Sequence, residues 1–218
     1  MTLQNRRRML MCKKEDDGLI RLADVETGSI VKFSTTGVTY IHCGTAYGNV
    51  QIIRDLVVSS ISKKTALDYD GSAADTYITG TLYPSYSELA KSKMKESTIT
   101  IYVSDGSTRT TKNIARKIYC PTSGQIGNSG AITAALKKYK GTSTSNTARI
   151  AKDSGGTARG YWTCDVYSSN AAQSGYISAT GAVGGAVPST AEYIRPVVSL
   201  DPDTKVMLID GAYIVQEG

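Results

Sequence analysis

Tyr161-Trp162-Thr163-Cys164-Asp165, followed downstream by Tyr193-Ile194-Arg195-Pro196-Val197-Val198-Ser199-Leu200, is the part of the chain from which the fold is read. Trp162 is the only tryptophan. A ring of that size is more often core than a ligand-stacking platform, and its N–H then needs a buried acceptor. Residues 194–200 read as a strand. Proline cannot donate to a sheet ladder, so Pro196 belongs at a strand start or edge. Arg195, just before it, is expected to form a structural ion pair or to cap backbone carbonyls rather than to face solvent.

Working outward, residues 206–209 and 212–215 read as strands joined by Asp210-Gly211, a two-residue hairpin signal. Upstream, the alternation in residues 29–33 and 38–43 predicts two paired strands. Residues 50–58 predict a third, largely buried one. A short helix and turn are expected over residues 75–84. A second helix follows over residues 85–95, capped by Ser85 or Ser87 with Glu88 in its first turn. Residues 97–103 alternate strictly and predict a strand, and residues 114–121 another. Residues 129–140 predict an amphipathic helix with Ile132, Leu136 and Tyr139 on one face and Lys137, Lys138 and Lys140 largely outside it. Residues 141–185 are dominated by Gly, Ser, Thr, Ala and Asn, and are expected to form long irregular loops of the functional kind. There is no internal repeat and no clear linker. The expected architecture is one α+β domain over residues 19–218, preceded by a basic arm over residues 1–18.

The chain has 218 residues and a net charge of +6, but the charge is segregated. Residues 1–14 carry net +5 and residues 91–152 net +10, while the remainder is acidic. Segregation of this kind favours pairing with acidic neighbours in an assembly over the behaviour of a uniformly basic protein. Nucleic acid is therefore the disfavoured partner, although a nucleic-acid binder using residues 91–152 is a distinct reading. In the arm, Met9-Leu10-Met11 is too short for a signal-peptide core. Arg6, Arg7, Arg8, Met9 and Leu10 are read as a docking segment for a neighbouring chain, the alternative being a disordered tail. No membrane span is expected.

The chemistry of catalysis is sparse. His42 is the only histidine, and it adjoins Cys43 on an expected strand, where neighbours face opposite ways. Cys12, Cys43, Cys120 and Cys164 show no metal-site spacing and read mostly as buried free thiols, with a Cys120–Cys164 bridge as the alternative. No Walker A or GxGxxG pattern occurs. Asp201-Pro202-Asp203 reads as a turn before it reads as a cation site. The 14 tyrosines, with abundant Ser and Gly, suit either binding loops or exposed strands.

Several stretches together carry a resemblance. They are the two quoted at the outset, with Ser168-Ser169-Asn170-Ala171, Tyr176-Ile177-Ser178 and Thr180-Gly181-Ala182 between them. They resemble the closing segment of the DUF6273 family. Arg116-Lys117-Ile118-Tyr119-Cys120-Pro121-Thr122-Ser123-Gly124-Gln125-Ile126-Gly127 is similar to an upstream element of that family, and residues 70–89 to its helix region. The similarity covers most of residues 24–200. Cys164 departs from it, since the family usually carries Arg there.

The resemblance implies a C-type-lectin-like fold of the formylglycine-generating-enzyme-like branch, found in Gram-positive bacteria and their phages. In such folds the long loops bind, which here implies residues 141–191, with Tyr161, Tyr167, Asn170, Tyr176 and Tyr193 as ligand contacts. The copper-binding cysteine pair of the formylglycine-generating enzymes is not matched, nor are the calcium motifs of sugar-binding lectins. No cofactor or metal is expected. The start Arg6-Arg7-Arg8-Met9-Leu10-Met11 resembles that of phage structural proteins. The resulting expectation is a non-enzymatic bacteriophage virion protein that binds a host surface or attaches at a tail tip. Its expected partners are other virion proteins through the arm, a bacterial surface glycan or protein, and further copies of itself. A capsid decoration or head-fibre protein is the alternative. An oxidase of the formylglycine-generating type is the alternative of another class.

Overall fold

Apolar runs too short for helices, each ended by a turn residue or a polar break, give this chain many short strands. The computed structural model describes residues 18–63 and 66–217; the basic arm with Arg6 to Leu10, and Cys12, lie outside the described residues. β1 (Leu19–Arg21) leads through a 3-10 turn at Leu22–Asp24 to β2 (Ile30–Lys32), which pairs antiparallel with β3 (Tyr40–Ala46). β3 turns at Tyr47-Gly48, with φ of 54° and 76°, into β4 (Asn49–Arg54). That is the primed geometry that matches the twist of paired strands. The single strand expected over residues 50–58 is two. The ladder breaks at Asp55-Leu56-Val57, where the Asp55 N–H donates to Thr39 and the Val57 N–H to Lys152, and β5 (Val58–Ser62) joins a different sheet.

α1 (Ala73–Tyr77) starts where the Ser72 hydroxyl accepts from the Asp75 N–H at 3.2 Å. It runs on as a π turn (Ile78–Leu82) and a 3-10 turn (Tyr83–Ser85). α2 (Glu88–Lys93) is capped by Ser87, not Ser85. β6 (Ser97–Ser104) and β7 (Arg109–Arg116) form a hairpin in which Ile99 and Ile101 point inward and Thr98, Thr100 and Tyr102 outward, as strict alternation requires. The strand expected over residues 114–121 is also split. β7 pairs only with β6, and β8 (Ile118–Tyr119) crosses to the larger sheet.

α3 (Ser123–Ile126) begins with a Thr122/Gln125 capping box. α4 (Ala131–Lys140) is the expected amphipathic helix, with Ile132 and Leu136 buried across β3 and Gly141 ending it at φ 61°. α5 (Ser145–Arg149), β9 (Ala151–Lys152), β10 (Ala158–Arg159), β11 (Tyr161–Val166), β12 (Ser174–Ile177), β13 (Val183–Ala186) and β14 (Ala191–Ile194) follow. The chain closes with β15 (Val197–Leu200), β16 (Lys205–Ile209) and β17 (Ala212–Val215).

Residues 141–185 are thus not an irregular loop. Much of the stretch is sheet, and β11 is buried along its whole length. Its strand character is hidden because small residues stand where a neighbour fills their space. A Cβ on Gly175 would meet Thr163 Oγ1 at 2.5 Å, and one on Gly184 would meet the Tyr176 ring at 2.8 Å.

Two sheets organise the fold. The larger has the order β1-β16-β17-β2-β3-β4-β15-β8, and the smaller β13-β12-β11-β14-β5. Both are mixed, with parallel pairs β17–β2 and β11–β14. Side chains from Leu22 to Val215 join one hydrophobic core. The strand expected over residues 194–200 passes from one sheet to the other at Arg195-Pro196, where Pro196 immediately precedes β15.

Gly181 fixes the packing of α5 against the β12–β13 turn. Its φ is +81°, and a Cβ there would lie 1.9 Å from the Asn146 carbonyl oxygen. Gly48 has a similar φ of +76° with no atom near a Cβ. Gly48→Ala is expected to cost about 1–2 kcal/mol, from the backbone alone. Gly181→Ala adds a backbone clash and is expected to cost at least about 3 kcal/mol. Urea unfolding of the two variants measures the difference, and equal midpoints would refute the packing role.

Candidate functional site

The joint between the sheets is built on Arg195. Its side chain is fully buried. Nε donates to the Arg54 carbonyl at 2.9 Å, and Nη1 to the Arg149 carbonyl and the Tyr161 hydroxyl, each at 3.3 Å. Nη2 faces Asp55 Oδ1 at 3.9 Å and has no hydrogen-bond acceptor among the described residues. The guanidinium also lies over the Tyr161 ring. The expected carbonyl cap is therefore present, and it joins the end of β4, the end of α5 and the start of β11.

Trp162 faces the other side of β11. It is fully buried and donates its N–H to the Ile61 carbonyl at 2.7 Å, as a core tryptophan should. Lys63 lies against its ring, with Nζ 5.2 Å from the centroid and donating to the Thr163 carbonyl at 3.1 Å. Complete burial lowers the Lys63 pKa. No feature of the sequence marks Lys63, since nothing in a Lys63-Lys64 pair says which ammonium is buried. Asp165 is likewise internal and accepts from the Tyr102 N–H at 2.7 Å and the Ser123 hydroxyl at 2.6 Å.

The five residues expected to contact a ligand do not converge. Tyr161 is a correction: it is fully buried and its hydroxyl donates to the Arg149 carbonyl at 3.0 Å, so it cannot reach a surface ligand. Tyr176 pairs across the strand with Trp162 and covers Gly184. Tyr193 lies on the opposite face of the same sheet, beneath the Arg159 guanidinium. Tyr167 and Asn170 occupy the β11–β12 turn, where Tyr167 is half-buried against Gly185 and Asn170 is exposed. The Asn170 side chain accepts from the Ala172 N–H at 3.0 Å.

The described cysteines and the histidine are buried. Cys43, Cys120 and Cys164 are free and buried. Burial pushes the Cys43 and Cys120 thiols up to about 12, and Cys164 well above its usual value. None is a thiolate near neutral pH. The Cys164 thiol donates to the Cys120 carbonyl and is not bonded to its sulfur. His42 is buried, its Nδ1 accepts from the Gly44 N–H at 3.3 Å, and burial lowers its pKa. Its neighbour Cys43 donates to the Ile41 carbonyl instead. Among the described residues no cluster of His, Cys, Asp and Glu could hold a metal, and no helix is long and apolar enough to cross a membrane.

Part of the positive stretch over residues 91–152 is neutralised within the chain. Arg116 makes a fork to Asp75 at 3.0 and 2.7 Å and reaches Asp70 at 2.6 Å. Lys112 also pairs with Asp70, Lys95 with Asp201 and Lys138 with Glu26. Lys140 and Lys152 are different. They line a cleft of about 570 Å³ with Asp55, Leu56, Tyr139, Thr147 and Ile150. The Tyr139 hydroxyl donates to Asp55 Oδ2 at 3.2 Å, and Lys140 Nζ donates to the Ile150 carbonyl. Sequence pattern places Lys140 off the apolar face of its helix, but not beside Asp55 and Lys152, which come from distant segments.

Two mixed sheets sharing one core, and jointed at a buried arginine, define a mixed α+β domain. Residues 47–202 match the family described as "Domain of unknown function (DUF6273)", and the chain belongs to that family. Neither a curated protein nor a solved structure matches the chain.

Arg195→Met would remove three hydrogen bonds from a charged donor, each contributing about 1.5–3 kcal/mol, while the Tyr161 hydroxyl and the Arg149 carbonyl keep the bond between them. A loss of at least about 3 kcal/mol in denaturant unfolding is expected, and a loss below about 1 kcal/mol would show the joint to be dispensable. In a Cys12→Ser background, the three buried thiols are expected to resist a thiol-specific reagent at pH 8 until the protein unfolds. Rapid native labelling of any of them would contradict their burial.

Proposed function

We propose that this chain is a non-enzymatic bacteriophage virion protein. Its domain has a C-type-lectin-like fold and attaches to a host surface or to the tail tip. The observation that supports this best is the way residues 161–193 use their aromatic and polar side chains. Tyr161 and Trp162 are spent on the core, while Tyr167 and Asn170 stand at a turn held on the rigid β11–β12 pair. A rigid element carrying an amphipathic ring and an adaptable amide is suited to recognition. Thiols and an imidazole that are buried and shifted away from reactivity support a role without chemistry. The partners are a bacterial surface glycan or protein at the turn, and other virion proteins at Arg6, Arg7, Arg8, Met9 and Leu10.

Binding of the labelled full chain to Gram-positive cell walls tests the recognition role. The double variant Tyr167→Ala/Asn170→Ala is expected to bind at least about tenfold more weakly, since a contact pair at the centre of an interface contributes more than 1.4 kcal/mol. Failure of the unaltered chain to bind, or unchanged binding by the variant, would overturn it. Removing residues 1–14 is expected to abolish incorporation into particles and leave cell-wall binding intact. Normal incorporation would refute the anchoring role.

A further inference from the structure

We propose that the cleft formed by α4, the end of α5, β9 and the Asp55-Leu56 turn binds a phosphate ester, holding its oxygens with Lys140 and Lys152 and its carbon skeleton against Leu56 and Ile150. The chemistry of this cleft does not depend on the phage reading.

The cleft carries more positive charge than it neutralises. Lys140 and Lys152 stand at its wall, and the Arg195 guanidinium lies behind Asp55. Asp55 is the acidic group among the lining residues, and it is already engaged by the Tyr139 hydroxyl and faced by Arg195 Nη2 at 3.9 Å. Arg195 Nη2 is buried without an acceptor, so part of its charge is unanswered. Lys152 is exposed and pairs with no carboxylate among the described residues. Lys91, Lys95, Lys112, Arg116 and Lys138 pair with carboxylates within the chain. Lys152 is thus free to meet a ligand, and Lys140 is held only by the Ile150 carbonyl.

The donor set favours phosphate over carboxylate. A phosphate monoester carries close to two negative charges at neutral pH and a carboxylate one, so two ammonium groups match the phosphate better. Lysines act as point charges and suit the tetrahedral oxyanion of a phosphate. A volume of about 570 Å³ exceeds what the oxyanion alone would fill. Leu56, more than a third exposed, with Ile150 and the Tyr139 ring, offers apolar contact to the attached carbons.

The charge environment makes binding pH-dependent. Lys140 is exposed overall, but its ammonium lies against the Ile150 carbonyl and is lowered to about 8, first by desolvation, then by repulsion from Arg195 and Lys152, with Asp55 opposing. Tyr139, Thr147 and the Ile150 carbonyl complete its surroundings. A bound phosphate ester supplies the missing counter-charge and favours the ammonium. Binding is therefore strongest between about pH 6 and 8, where the ester is a dianion and Lys140 an ammonium, and weakens as Lys140 loses its proton above that window.

Calorimetry or NMR titration of the full chain with glycerol 1-phosphate tests this, with glycerol and acetate as controls. Glycerol 1-phosphate is expected to bind, acetate at least about tenfold more weakly, and glycerol not at all. Lys152→Gln is exposed, leaves the fold intact, and is expected to weaken binding about tenfold or more. Lys140→Arg is expected to retain binding and to lose the decline between pH 7 and 9. No binding of the ester, equal binding of acetate, unchanged affinity in Lys152→Gln, or a persisting decline in Lys140→Arg would each overturn the proposal.

Discussion

The junction between the two sheets depends on the burial of one guanidinium. Removing a cation from water costs several kcal/mol unless its donors are answered. Arg195 answers that cost with the Arg54 and Arg149 carbonyls, the Tyr161 hydroxyl and the Tyr161 ring. Those partners come from β4, α5 and β11, which are remote from one another in the chain. The backbone adds its own lock, since the Arg54 N–H donates to the Pro196 carbonyl at 3.0 Å. Pro196 prevents the ladder of β14 from continuing, and Arg195 holds the chain where it changes sheets. Each residue does what the other cannot, which is why the pair works as a joint.

A second set of buried polar groups rigidifies the other side of β11. Asp165 ties the β6–β7 hairpin to the start of α3 through Tyr102 and Ser123. Lys63 fills the space between the Tyr69 and Trp162 rings. Buried polar groups satisfied in this way specify one arrangement of the core, because any slip leaves them unpartnered. They also explain where the thiols lie. Cys120 and Cys164 are packed beside the same groups, and their burial keeps them protonated.

Much of this was legible in the sequence wherever local rules decide the outcome. Strict alternation in residues 97–103, the Asp210-Gly211 turn, the apolar face of Ile132 and Leu136, and the Arg195-Pro196 pair all act through their neighbours in the chain. The illegible parts depend on partners far away in sequence. The strands within residues 141–185 carry Gly and Ser because Thr163, Tyr167 and Tyr176 occupy the space above them. No propensity records that. The breaks at Asp55 and Lys117 are invisible in an apolar run, because the choice of sheet is made by the neighbour and not by the strand. The family resemblance implies that Tyr161 is a binding residue, and its position makes it a core residue. The cleft around Lys140 was hidden for the same reason: Asp55, Lys140 and Lys152 meet only in three dimensions.

The reach of the family match has its own consequence. Residues 47–202 include β4, β15 and β8 of the larger sheet and every strand of the smaller one. Its other five strands, β1, β16, β17, β2 and β3, lie outside those residues. A fragment trimmed to the matched residues would strip β3 from β4 and leave a row of unpaired backbone groups beside Val50, Ile52 and Ile53. Such a row is a template for another strand, and the fragment would self-associate edge to edge. The sheet and the hydrophobic core of this protein therefore extend beyond its family signature, with β3 covering the edge of β4.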